Sequence, residues 1–111
     1  MSTNTNPLIS MTLYRSFVIG NVLYKDMGKV INSLPDTGPI AIPTTTSACL
    51  KQGINSTRID THIIENQSLG ILQSDELLVF LSTTTKKGKK KLIEAINIAQ
   101  VSKIPVKVIK I

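Results

Sequence analysis

An α/β fold, with an open and mostly parallel sheet flanked by helices, is predicted by three features of the sequence. The stretch from Asp75 to Ile111 runs through an apolar segment (Leu77 to Leu81), a hydroxyl-rich turn (Ser82 to Thr85), a lysine cluster around Gly88, an amphipathic helical pattern and a second apolar segment (Val106 to Ile111). That is the pattern of a βαβ crossover, whose parallel strands are buried on both faces and therefore show no alternation. Two further apolar runs upstream, Leu13 to Ile19 and Ile40 to Ile42, each lead through a polar loop into a helical pattern.

The elements follow in order. Residues 1 to 12 are polar, contain Pro7 and read as a flexible arm, which leaves 13 to 111 as a single domain. Leu13 to Ile19 forms the first strand and breaks at Gly20-Asn21. From Lys25 to Leu34, Met27, Val30, Ile31 and Leu34 recur at helical spacing, and Pro35-Asp36-Thr37-Gly38-Pro39 ends that helix. Ile40 to Ile42 is a second strand stopped by Pro43. Thr45, Thr46 or Ser47 then caps a short helix with Ala48 or Cys49, Leu50 and Ile54 inward, closing at Gly53. Thr57 to Glu65 alternates, as a half-buried or edge strand does, and Gln67 to Gln73 makes a single helical turn before Leu77.

Composition bounds the function. No apolar run approaches the roughly 18 to 20 residues that span a bilayer, so no membrane partner is expected. The start, MSTNTNPLIS, lacks the basic and long apolar regions of a signal peptide, and the one cysteine, Cys49, permits no internal disulfide; both fit a cytoplasmic location. No cluster of Cys and His has ligand spacing, which argues against a metal, and no cofactor is expected. The net charge of +6 favours phosphorylated or polyanionic partners. Of the 13 Lys and Arg, Lys86, Lys87, Lys89, Lys90, Lys91, Lys103, Lys107 and Lys110 fall in the last quarter of the chain. Aromatics, at 4%, leave little material for an extended base-stacking surface.

Two loops carry the site. Lys86, Lys87, Lys89, Lys90 and Lys91 open a helix, where cations oppose the positive end of the macrodipole at about 0.3 to 1 kcal/mol each. An anion would relieve that cost, Gly88 would let it approach, and Ser82, Thr83, Thr84 and Thr85 would offer hydroxyls. The bland reading is a solvated charge run. Thr44, Thr45, Thr46 and Ser47 end the second strand, and a parallel sheet places them beside Gly20-Asn21 and Ser82 to Thr85. Taken alone, they read as a turn and a cap. His62 and Cys49 have no catalytic partner in the sequence pattern, Asp75-Glu76 reads as a cap for the turn before the fourth strand, and Glu94 can face the loop or pair with Lys90.

Beside this reading stands a resemblance. Ser74-Asp75, the strand Leu77 to Leu81, Thr85 to Lys89 around Gly88, Ile93 with Ala99, and Ile104-Pro105-Val106-Lys107-Val108 resemble the corresponding pieces of the SLOG superfamily of Rossmann-like nucleotide-binding proteins. The likeness is to its short phage and bacterial members and its nucleoside deoxyribosyltransferase-like branch. Phe17-Val18-Ile19-Gly20-Asn21 and Ile40 to Leu50 stand where the family has its first strand and loop and its glycine-rich turn. The resemblance implies a small Rossmann-like fold, a nucleotide site and a phage or viral source. The chain departs from the family where Pro43 to Ser47 replaces the double glycine, where Lys89 replaces the Thr after Gly88, and where the catalytic Glu has no match, since Glu94 comes too late. What is left resembles a binding relative more than an enzyme. A weaker resemblance to sugar-isomerase domains, through Asp75 to Ser82 and Thr83-Thr84-Thr85, points to phosphosugars.

The expectation is non-catalytic binding of a nucleotide or phosphorylated nucleoside at the carboxyl edge of the sheet, by Gly20, Asn21, Thr44 to Ser47, Ser82 to Thr85, Lys86, Lys87, Gly88 and Lys89. One alternative is a nucleic-acid or protein interaction module using the Lys86 to Lys91 patch. Another is an enzyme of N-glycosidic or phosphosugar bonds, which needs Glu94, Asp75 or Glu65 in the pocket. Uncovered edges in so small a sheet also favour a homo-oligomer.

Overall fold

The strands form at the apolar runs: β1 (Ser16–Gly20), β2 (Ile40–Pro43), β3 (Thr61–Ile64), β4 (Leu77–Leu81) and β5 (Val106–Lys110). Between them lie α1 (Met27–Ser33), α2 (Ala48–Asn55), α3 (Gln67–Leu72) and α4 (Lys89–Val101), with a 3-10 turn at Tyr24–Asp26 leading into α1. This is a computed structural model, and it describes residues 12–58, 60–82 and 89–111. The N-terminal arm expected from the sequence lies outside the described residues, apart from Thr12.

All the strand pairs are parallel and the order is β3-β2-β1-β4-β5. The chain steps outward from β1 through β2 to β3, then returns to the other side of β1 for β4 and β5. That order is Rossmann-like, and the reversal places a topological switch point between β1 and β4. Register there is fixed by Phe17 opposite Leu77 and Gly20 opposite Phe80.

Period-two side chains divide the sheet between two cores. Val18, Ile40, Ile42, Leu78 and Phe80 point to the face covered by Met27 and Val30 of α1 and by Leu50 and Ile54 of α2. Phe17, Ile19, Ala41, Leu77 and Val79 point to the other, under Ile71 of α3 and Leu92, Ala95 and Ala99 of α4. Burial on both faces explains why β1, β2 and β4 read as continuous apolar runs. β3 and β5 are the sheet edges, with intermediate and exposed residues only, so Thr57 to Glu65 does contain an edge strand.

The elements differ from the sequence expectation in four places. First, α2 continues through Gly53 to Asn55 rather than closing at the glycine, and Ala48 is exposed while Leu50 and Ile54 reach the core. A Cβ at Gly53 would stand 2.3 Å from the Met27 methyl, the far end of a flexible side chain. Second, β3 starts at Thr61, since the Thr57 and Arg58 amides both donate back to the Ile54 carbonyl at 3.1 Å.

Third, β1 starts at Ser16, because the Leu13 and Tyr14 amides both donate to the Gln73 carbonyl. Fourth, Asp75 and Glu76 tie β4 to β1 rather than capping the preceding turn. The Ser16 hydroxyl donates to Glu76 at 2.6 Å, and Asp75 lies 3.8 Å from Arg15.

Candidate functional site

The polar segments that follow β1 and β2 meet at the carboxyl edge of the sheet. The end of β1 and the loop after it, residues 20–23, share the cleft with residues 45–47 of the turn after β2. Gln67 of α3 and Lys91 and Leu92 of α4 close the remaining sides. They enclose a cleft of about 580 Å³, a volume in the range of small-ligand sites. Ile19, Val22, Leu23, Pro43 and Leu92 supply apolar walls; Asn21, Thr45, Thr46, Ser47, Gln67 and Lys91 supply hydrogen-bonding groups and a cation.

The local chemistry explains how the loops are held. Asn21 donates its amide to the Phe80 carbonyl at 3.1 Å, while its side-chain oxygen accepts from the Ser82 amide at 2.8 Å. One residue thereby joins the ends of β1 and β4. Gly20 lets the two strands approach, because an added Cβ would stand 2.8 Å from the Phe80 carbonyl oxygen. Its missing side chain serves strand packing, although it also lines the cleft.

After β2, the Thr46 amide donates to the Pro43 carbonyl at 3.0 Å and closes a turn. Ser47 then caps α2, its hydroxyl accepting from the Leu50 amide at 3.3 Å. The turn brings Thr46 Oγ1 to a buried position with no hydrogen-bond partner among the described residues. Buried hydroxyls are ordinarily paired, so this one stands out among the polar groups of the turn.

Of the residues named from the sequence, Gly20, Asn21, Thr45, Thr46 and Ser47 line the cleft. Thr44 does not; its amide donates to the Ile64 carbonyl and fixes the turn to β3. Ser82 is buried at the end of β4, bonded to Asn21, and Lys89 is exposed at the start of α4. Thr83, Thr84, Thr85, Lys86, Lys87 and Gly88 lie outside the described residues.

Sequence reasoning did not select Lys91, Leu92, Gln67, Leu23 or Val22 for this wall. A signal for the first two existed. With Ala95 and Ala99 turned inward, Leu92 falls on the same helical stripe, and Lys91 is its neighbour. The glycosidase or phosphosugar reading needs a carboxylate in the cleft, and none of its three candidates lines it. Glu94 is exposed on α4, Glu65 is exposed after β3, and Asp75 sits beside Arg15 before β4.

No family model, curated protein or solved structure significantly matches this chain. The functional reading therefore stands on the cleft itself.

Proposed function

We propose that the protein binds a nucleotide or phosphorylated nucleoside in the cleft at the carboxyl edge of its sheet, holding the ligand without transforming it. The observation that carries this reading is the cleft at the carboxyl edge of the sheet, where Thr46, whose hydroxyl has no partner among the described residues, and the ammonium of Lys91 stand among apolar walls. The walls suit a base and sugar. Thr45, Thr46, Ser47 and Lys91 suit a phosphate. In this reading the chain is a degenerate phage or viral relative of the SLOG nucleotide binders, a placement that rests on the sequence resemblance alone. A single cysteine suits a cytoplasmic setting.

A second reading, favoured by the exposure of Lys89 and Lys90 beside the cleft, is that a nucleic acid lies along the first turn of α4. The half-exposed Ile63 on edge strand β3 and Val108 on edge strand β5 favour a homo-oligomer paired through an edge.

A thermal-shift screen against mono-, di- and cyclic nucleotides, phosphosugars and a short DNA duplex, at low and moderate salt, tests these readings. A nucleotide at about 100 times its Kd stabilises the fold by roughly 2.7 kcal/mol. The expected result is selective stabilisation by one nucleotide class that survives moderate salt and is lost in Lys91→Ala. Stabilisation by the duplex alone, falling steeply with salt, would replace the cleft reading with the nucleic-acid one.

A further inference from the structure

The 3-10 turn at the rim of the cleft has an unusual composition for its burial. It follows Leu23, which lines the cleft, and spans Tyr24–Asp26; none of its own residues is buried. Its backbone is held at both ends, by the Asp26 amide on the Leu23 carbonyl at 2.9 Å and by the Met27 amide on the Tyr24 carbonyl. The backbone of the turn is thus fixed, while Tyr24 and Lys25 are exposed. Tyr24 is 81% exposed and Leu23 is 38% exposed, with the exposed cation Lys25 next in the chain. Leu23 lines a largely aliphatic cleft, and the exposed Tyr24 and Lys25 follow it in the chain without belonging to that lining.

Leaving a large ring in water costs apolar hydration that a planar ligand would relieve, and every nucleobase has a face that stacks on an aromatic side chain. We propose that Tyr24 is the stacking platform for the base of the ligand, with the sugar and phosphate lying inward toward Thr46 and Lys91. This rests on the nucleotide reading above and sharpens it. A ring-bearing rim selects a ligand with a base over a sugar phosphate of similar charge, so Tyr24 is a specificity residue.

The chain itself supplies a reporter. It has two tyrosines, Tyr14 and Tyr24, and no tryptophan. Tyr14 lies against His62 with ring centroids 5.4 Å apart, and Tyr14→Phe preserves that ring. In Tyr14→Phe, all tyrosine emission comes from Tyr24. This variant is titrated with the four ribonucleoside 5′-monophosphates and with ribose 5-phosphate, following emission corrected for absorbance. Kd is measured in parallel by calorimetry for wild type, Tyr24→Ala and Tyr24→Phe, with circular dichroism confirming that each is folded.

The expected result is saturable quenching by at least one nucleotide and none by ribose 5-phosphate. Tyr24→Ala should weaken nucleotide binding by about 5- to 100-fold, as loss of one stacked base does, while Tyr24→Phe stays near wild type. Nucleotide binding with unchanged emission and unchanged affinity in Tyr24→Ala would overturn the role of Tyr24 and leave the cleft reading intact. Equal binding of ribose 5-phosphate and nucleotide would also overturn it. Absence of binding by wild type to every compound would overturn both.

Discussion

The side-chain oxygen of Asn21 accepts a hydrogen bond from the amide of Ser82 at 2.8 Å, across the point where the order of the sheet reverses. Asn21 follows β1 and Ser82 follows β4, so the bond holds together two segments that then diverge toward opposite edges. Asn21→Ala removes the acceptor and should cost about 1 to 2 kcal/mol of stability in urea titrations. Asn21→Asp keeps an acceptor at the same position and should retain most of that stability, but its charge at the cleft should weaken an anionic ligand. Equal stability in all three proteins would show that the bond contributes nothing to the junction.

Glycine substitutions should separate rigid neighbours from yielding ones. Gly20→Ala presses a methyl against the Phe80 carbonyl oxygen at 2.8 Å, and backbone paired in a central ladder cannot move away cheaply. A loss of about 1 to 3 kcal/mol is expected, as for other overpacked sites. Gly53→Ala meets the terminal methyl of Met27, which can swing aside, and gains up to about 1 kcal/mol of helix propensity. Its midpoint in denaturant should lie close to wild type. The reverse order of the two variants would contradict this assignment of roles.

These glycines also show what was legible in the sequence. Strand and helix placement came through because β1, β2 and β4 are buried on both faces and their apolar runs are unbroken. Parallel topology then brought the loop after β1 and the Thr-rich turn together by connectivity alone. The reasons for individual residues were less visible. Gly20 reads as a loop former but answers to Phe80 on a strand far along the chain; Gly53 reads as a helix stop but lies within α2 against the flexible end of Met27. Lys91 and Gln67 reach the cleft through the rotation of their helices, and rotation is set by the whole packed face. Contacts between distant segments leave no local pattern.

Arg58 is a case in point. From the sequence it belongs to an alternating strand, yet it folds back to donate to the Pro35 and Gly38 carbonyls while pairing with Asp60 at 3.0 Å. Its guanidinium therefore stitches the loop before β2 to the start of β3. Lysine cannot span these acceptors with one ammonium, so Arg58→Lys should lose about 1.5 to 3 kcal/mol in chemical denaturation despite conserving charge. Stability within about 0.5 kcal/mol of wild type would mean that the clamp is idle.

Lys103, just past α4, has φ of 61°, the left-handed region, and the Ile104 amide donates to the Ala99 carbonyl at 2.8 Å to finish the helix. A side chain in that conformation is strained, and glycine relieves the strain at the cost of more unfolded-state freedom. Lys103→Gly should raise stability by about 0.5 to 1 kcal/mol, whereas Lys103→Val should lower it. A stabilising valine would show that the strain is not there.

The buried hydroxyl of Thr46 allows a prediction whose two halves have opposite signs. Thr46 Oγ1 and Thr61 Oγ1 are both buried without partners among the described residues, but only Thr46 lines the cleft. An unpaired buried hydroxyl costs desolvation that an apolar group of similar shape avoids, so Thr46→Val and Thr61→Val should each stabilise the ligand-free protein by about 1 kcal/mol. Ligand then separates them. If Thr46 bonds the ligand, Thr46→Val should weaken nucleotide binding by about five- to tenfold, the worth of roughly 1 to 1.5 kcal/mol for a hydrogen bond. Thr61→Val should bind as wild type does. Stability by denaturation and affinity by calorimetry on the same preparations decide the matter. A Thr46→Val protein that is more stable and binds equally well would place the ligand away from this hydroxyl, and a less stable one would show that Thr46 is satisfied in solution.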